Sequence, residues 1–166
     1  MSKVNFLKHA YRIEAAQNTV ECGIVDGEGD KPAYTTSRRD IKWNATICNP
    51  RARKFQFVPV DYNIICYRDD GNKDRSCDGM LLVEDNDMIA FIELKDVRYG
   101  CFADAIEQLR KTVSYFVQNH QYDIFRLRRA YAANIAHPCF HYNMKDQMES
   151  FKKLHFKLCP EATINF

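Results

Sequence analysis

Two apolar runs, separated by four acidic or amide residues, constrain this chain more than anything else in it. Met80-Leu81-Leu82-Val83 is followed by Glu84-Asp85-Asn86-Asp87, and then by Met88-Ile89-Ala90-Phe91-Ile92-Glu93-Leu94. Short apolar segments joined by a polar turn predict a β-hairpin. Asp69-Asp70-Gly71-Asn72 reads as a strong turn ahead of it. Residues 102–118 then carry Phe102, Ile106, Leu109, Val113, Phe116 and Val117 at three- and four-residue steps, which predicts an amphipathic helix. Glu107 and Lys111 on that helix are spaced for an i,i+4 ion pair.

The remaining elements follow from weaker patterns. Val4, Leu7, Tyr11 and Ala15 predict a helix over 4–20. Turn formers fill 26–40, which reads as a loop. Residues 41–48 and 54–67 are rich in β-branched and aromatic residues and predict strands. Pro59 is expected to split the second run or to place it at a sheet edge. A strand over 122–136 and a helix over 144–157 complete the order. The reading is a single domain over 1–166, of mixed α/β or α+β class, with a central mixed sheet flanked by helices.

Composition agrees with one globular domain: 166 residues, 46% hydrophobic and 28% charged. No run approaches the roughly 18 apolar residues of a membrane span, and residues 1–9 are too often interrupted by polar groups for a signal peptide. A cytoplasmic location, with no membrane partner, is therefore expected. Cys22, Cys48, Cys66, Cys77, Cys101, Cys139 and Cys159 are odd in number and widely spaced, without a C-x-x-C pair. They read as reduced, mostly buried thiols. His137, Cys139 and His141 are the only tight cluster of soft metal ligands, and no fourth partner is evident nearby.

The chemistry lies in and beside the hairpin. Side chains alternate along a strand, so Glu93 and Lys95 share one face while Ile92 and Leu94 point into a core on the other. Asp78 begins the neighbouring strand and reaches the same end of the sheet. Two carboxylates and an ammonium then converge. Paired carboxylates hold a hard cation such as Mg²⁺, which acts on phosphoryl oxygens and on water. Residues 69–96 hold nine acids and three bases, a field that favours a divalent cation. Asp40-Ile41-Lys42, with Asp26 upstream, offers a competing acid-x-lysine triplet. It is set aside because no apolar strand leads into its acid, whereas Glu93 ends one.

Asp78, a 14-residue gap, and then Glu93-Leu94-Lys95 resembles the PD-(D/E)XK nuclease superfamily, the restriction-endonuclease-like fold. That family places an aspartate on the second core strand, acid-x-lysine on the third, and then a helix. The resemblance covers about residues 54–135, with Cys77 standing where the family name has proline. It implies that Asp78 and Glu93 bind Mg²⁺ or Mn²⁺, often with the Leu94 carbonyl, and that Lys95 acts on the attacking water. Gln108 resembles the glutamine that some branches carry after the lysine, and would support the site or touch substrate. An acid on the first helix is often a further ligand; Glu14 and Glu21 are both candidates.

Basic segments flank this acidic centre in sequence. Arg38, Arg39, Lys42, Arg51, Arg53 and Lys54 oppose only Asp40 over 37–54. Arg110, Lys111, Arg126, Arg128 and Arg129 oppose only Asp123 over 108–129. Arg51, Arg53 and Lys54, together with Arg126, Arg128 and Arg129, are the expected phosphate contacts for DNA. Trp43 and Tyr62 are candidates to stack on bases, although a lone tryptophan more commonly serves a core. The expectation is a metal-dependent nuclease acting on DNA, of restriction or structure-specific type, plausibly a homodimer. The alternatives are a non-catalytic nucleic-acid-binding or regulatory module of the same fold, or a protein-interaction accessory domain.

Overall fold

A computed structural model describes residues 3–95, 102–134 and 144–166. In chain order its elements are β1 (Glu21–Val25), β2 (Tyr34–Thr36), β3 (Ala45–Cys48), β4 (Phe55–Pro59), β5 (Gly79–Val83), β6 (Met88–Lys95), α1 (Phe102–Asn119), β7 (Leu127–Asn134), α2 (Lys145–Lys153), β8 (Lys157–Cys159) and β9 (Thr163–Asn165). They form two mixed sheets, ordered β2-β1-β3-β9 and β4-β5-β6-β7-β8. The class is mixed α/β.

The expected hairpin is present: β5 and β6 pair antiparallel from Gly79↔Ile92 to Val83↔Met88. A short 3₁₀ turn over Glu84–Asn86 joins them, with Asp85 and Asn86 at positive φ. Such backbone suits Asn and Asp better than most side chains. β4 runs antiparallel to β5, and β7 runs parallel to β6 after the α1 crossover. β4 is the outer strand of its sheet, where Pro59 costs no ladder bond. The strand expected over 54–67 therefore ends at Pro59.

The five-stranded sheet is covered on both faces. On one, Ile89 and Phe91 of β6 pack with Ile106, Leu109, Val113 and Phe116 of α1 and with Phe151 of α2. On the other, Ala90, Ile92 and Leu94 meet Cys22, Ile24 and Ile47 of the second sheet. β6 is thus buried on both sides, which explains its nearly unbroken apolar run. α1 matches its expectation, but not in its ion pair. Glu107 binds Arg110, and Lys111 reaches Asp74 at 3.2 Å.

The helix expected over 4–20 does not form; a 3₁₀ turn at His9–Tyr11 is its only helical piece. Phe6 is instead inserted edge-on against Phe91 and Phe116, with ring centroids 5.9 Å away in each case. The extended backbone finds partners in α1's end: Val4 N–H donates to Asn119 Oδ1 and Phe6 N–H to His120 Nε2. Tertiary contacts thus outweigh a weak helical pattern. The loop expected over 26–40 contains the short β2, and the strand expected over 41–48 is confined to 45–48.

The strand expected over 122–136 starts at Leu127, after a 3₁₀ turn at Tyr122–Ile124; residues 135–136 lie outside the described residues. The helix expected over 144–157 stops at Lys153. His155, at φ 64°, gives its N–H to the Lys152 carbonyl while Phe156 N–H reaches back to that of Phe151, a Schellman ending. Among the described residues the free thiols are Cys22, Cys66, Cys77 and Cys159, all buried, and the half-buried Cys48. Cys101, Cys139, His137 and His141 lie outside the described residues. No helix among the described residues is long and apolar enough to cross a membrane.

Gly79 is required by packing. A Cβ there would lie 2.3 Å from Cζ of the fully buried Phe57. Gly79→Ala should therefore cost about 1–3 kcal/mol of stability, the usual overpacking range, as read by denaturant unfolding. Unchanged stability would mean that Phe57 yields freely.

Candidate metal and phosphoryl-transfer site

The site sits at one end of the five-stranded sheet. Continuing the β5–β6 register one residue past Gly79↔Ile92 sets Asp78 across from Glu93, with both side chains on the same face. Asp78 is also gripped by β4's extension: Val60 N–H donates to the Asp78 carbonyl and Asp61 N–H to that of Cys77. Cys77 N–H donates to Thr112 Oγ1 at 2.8 Å, which ties the start of β5 to α1. The position is therefore fixed from three sides before any side chain acts.

Asp78 Oδ2 accepts the Leu94 N–H at 2.6 Å. Glu93 is only 1% exposed; its Oε1 meets Lys95 Nζ at 2.9 Å, and Lys95 is 25% exposed. Glu93 Oε2 is buried with no hydrogen-bond partner among the described residues. A carboxylate oxygen in that state is costly unless a proton or a cation reaches it. Burial raises both acids. Asp78 is pushed up to about 7, first by burial and then by the charges of Asp26 and Asp61, against the opposing Leu94 N–H and Lys95. Glu93 is pushed up to about 8, first by burial and then by Asp78, against Lys95. Both acids therefore take up protons near neutrality when nothing else neutralises them.

The donor set is all oxygen, which suits Mg²⁺ or Mn²⁺ rather than a soft metal. Among the described residues no group of three or more His, Cys, Asp or Glu side chains could hold an ion by itself. An ion here would rest on Asp78 and Glu93, completed by backbone oxygen and water. The orphaned Glu93 Oε2 fits that role.

Gln108 lies on α1, and its Nε2 donates to the Ser76 carbonyl at 3.3 Å. It borders a cavity of about 300 Å³ with Asp61, Lys73, Asp74, Arg75 and Ser76. The helix-borne acid is not found at Glu14 or Glu21. Glu14 accepts from Thr35 N–H and Oγ1, and Glu21 pairs with Arg39. Sequence reasoning missed Asp61 and set Asp26 aside with the competing triplet, yet the charges of both act on Asp78. Asp61 stands two residues past Pro59, so a correct register for β4 would have placed it beside Cys77. Asp26 follows β1 in the other sheet, and no local pattern marks it. Asp40, its partner in the competing triplet, is exposed and bound to Arg38.

The expected phosphate contacts lie elsewhere. Lys54 precedes β4, and Arg126 precedes β7. Phe55 pairs with Val83, Val83 with Met88, and Met88 with Leu127. The two basic groups therefore meet at the opposite end of the sheet from Asp78 and Glu93. They do not flank the acids, because adjacency in sequence became opposition along the strands. Arg53 and Arg126 both bind Asp87, and Arg128 donates to the carbonyls of His155 and Phe125. Arg51 and Lys54 are exposed, and Arg129 is half-buried. Trp43 lies across Gly23 under the Arg39 guanidinium, and Tyr62 lies beneath Lys73.

The raised acids give stability a definite pH sign. The folded state holds protons that the unfolded chain releases near pH 4, so this contribution is full below about pH 4 and is lost as pH rises through about 7–8. In EDTA the melting temperature should fall across that window. Mg²⁺ should restore it, more at the alkaline end, by about 2.7 kcal/mol at a hundredfold excess over Kd. Glu93→Gln should flatten the EDTA profile and abolish the Mg²⁺ response. A wild-type profile with neither the fall nor the Mg²⁺ response would refute the raised acids.

In comparisons with known proteins the chain matches no family model, no curated protein and no solved structure, so the meaning of the site rests on its own chemistry.

Proposed function

We propose that this chain is a metal-dependent nuclease that hydrolyses DNA phosphodiester bonds, of restriction or structure-specific type. The observation that carries the reading is the buried Glu93 with its orphaned Oε2, held across from the half-buried Asp78 and beside Lys95. The element order supports it. An antiparallel β4-β5-β6 meander is followed by α1 and a parallel β7, with Asp78 just before the second of those strands and Glu93-Leu94-Lys95 ending the third.

Asp78 and Glu93 would hold Mg²⁺ or Mn²⁺, with the Leu94 carbonyl as a further donor. Such an ion supplies Lewis-acid stabilisation of phosphoryl oxygen and water of lowered pKa. The protein's own groups do the rest. Lys95 keeps its ammonium at Glu93 while partly open to solvent, where it orients the attacking water and offsets charge building on the phosphoryl group. Gln108 holds the strand entering Asp78 through the Ser76 carbonyl. Cutting both strands would take two such sites, as a homodimer provides.

Supercoiled, single-stranded and branched DNA, each incubated with Mg²⁺ or Mn²⁺, test the reading. Wild type should nick or cut at least one substrate. Asp78→Ala and Lys95→Ala should each lower the rate by about 100-fold or more. Cleavage that survives both substitutions, or wild type that neither cuts nor binds Mn²⁺, would overturn it.

A further inference from the structure

At the far end of the same sheet, a cavity of about 340 Å³ is lined by Arg126, Arg128, Arg129, Lys152, His155 and Lys157, with Leu127 and Phe156 between them and no acid in its wall. Arg129 of β7 and Lys157 of β8 are cross-strand partners. Neither has an ion pair or side-chain hydrogen bond among the described residues. Like charges set side by side are destabilising in a sheet; Glu161, whose charge acts on Tyr131 and Cys159 together with that of Arg129, is not in the cavity wall. Arg128 is already positioned: Nε donates to the His155 carbonyl and Nη1 to that of Phe125, which leaves Nη2 over. Its guanidinium also lies 5.9 Å over Tyr122, whose ring stacks on His155. Side chains alternate along β7, so Arg128 borders the cavity from the α2 side and Arg129 and Lys157 from the other; a cavity ringed by cations in this way suits a tetrahedral oxyanion.

We infer that Arg128, Arg129, Lys152 and Lys157 form a phosphate-binding subsite for a nucleic-acid strand whose distal part reaches Asp78 and Glu93. This rests on the nuclease reading for the identity of the strand, not for the phosphate chemistry. Lys152 and Lys157 come from α2 and β8, outside the basic groups legible in the sequence. Arg129, in the subsite, is in register with Ala90, three residues before Glu93. At about 3.3 Å per residue that is roughly 10 Å along the strand. The same span is about three phosphate steps of duplex at about 3.4 Å each. Occupying the cavity would therefore fix which bond, several nucleotides on, meets the carboxylates.

The test is anisotropy of a labelled duplex of about 20 base pairs, measured in EDTA so that nothing is cut. Arg129→Ala/Lys157→Ala should weaken binding about tenfold at moderate salt and reduce the slope of log Kd against log salt by about two, at roughly 0.9 per phosphate contact. Arg129→Lys/Lys157→Arg should keep both. Tripolyphosphate should displace the duplex from wild type. Identical affinity and slope for wild type and the folded double-alanine variant would overturn the subsite. Tripolyphosphate binding with no duplex binding would overturn the strand and assign a free polyphosphate instead. Cleavage with Mg²⁺ is scored in parallel. No cleavage with the slope difference intact refutes the nuclease reading alone, whereas cleavage with unchanged binding refutes the subsite alone.

Discussion

The pairing of β5 with β6 is the constraint on which the rest of this molecule turns. It sets Asp78 across from Glu93 at an end of the sheet where Glu93 is buried while Asp78 and Lys95 stay partly open to solvent. Two like charges would not be brought together by folding for their own sake. Lys95 and the Leu94 N–H offset part of the repulsion, and Glu93 Oε2 remains without a partner. Hydrophobic burial of β6 on both faces supplies the driving force that tolerates this. The strand is held so firmly by Ile89, Phe91, Ile92 and Leu94 that its last residues can carry charge inside the protein.

Much of this was legible from periodicity. The hairpin and α1 declare themselves because their burial patterns are one-sided or unbroken over many residues. The N-terminal segment did not, since Val4 and Phe6 are buried by docking on α1 rather than by a helix of their own. α2's end was misplaced because the left-handed residue that terminates it after Lys153 is His155, without the usual glycine signal. In the site, Asp78, Glu93 and Lys95 followed from alternation along strands. Asp61 depends on the register of β4 with β5, and Asp26 on how the two sheets pack. Neither quantity is written locally.

Charge shows the same limit. Basic residues neighbour the acidic segment in sequence, yet the antiparallel and crossover connections carry them to the other end. Asp87 then gathers Arg53 and Arg126 at the hairpin turn, so part of the positive charge serves the fold. What is left over is concentrated around β7, β8 and α2. The basic groups are consequently gathered at the end of the sheet away from Asp78 and Glu93, alongside the turn acids Glu84, Asp85 and Asp87. A net charge of +2 conceals that separation entirely.

The docking of Phe6 also bears on how the chain is made. Its ring belongs between Phe91 and Phe116, and its N–H belongs on His120, more than a hundred residues downstream. During synthesis the segment emerges before α1 and has no seat until that helix is complete. An apolar plug must therefore wait in solvent for its partners, and sealing this core is a long-range event. The interruption of that segment by Lys3, Asn5 and Lys8 keeps it soluble while it waits.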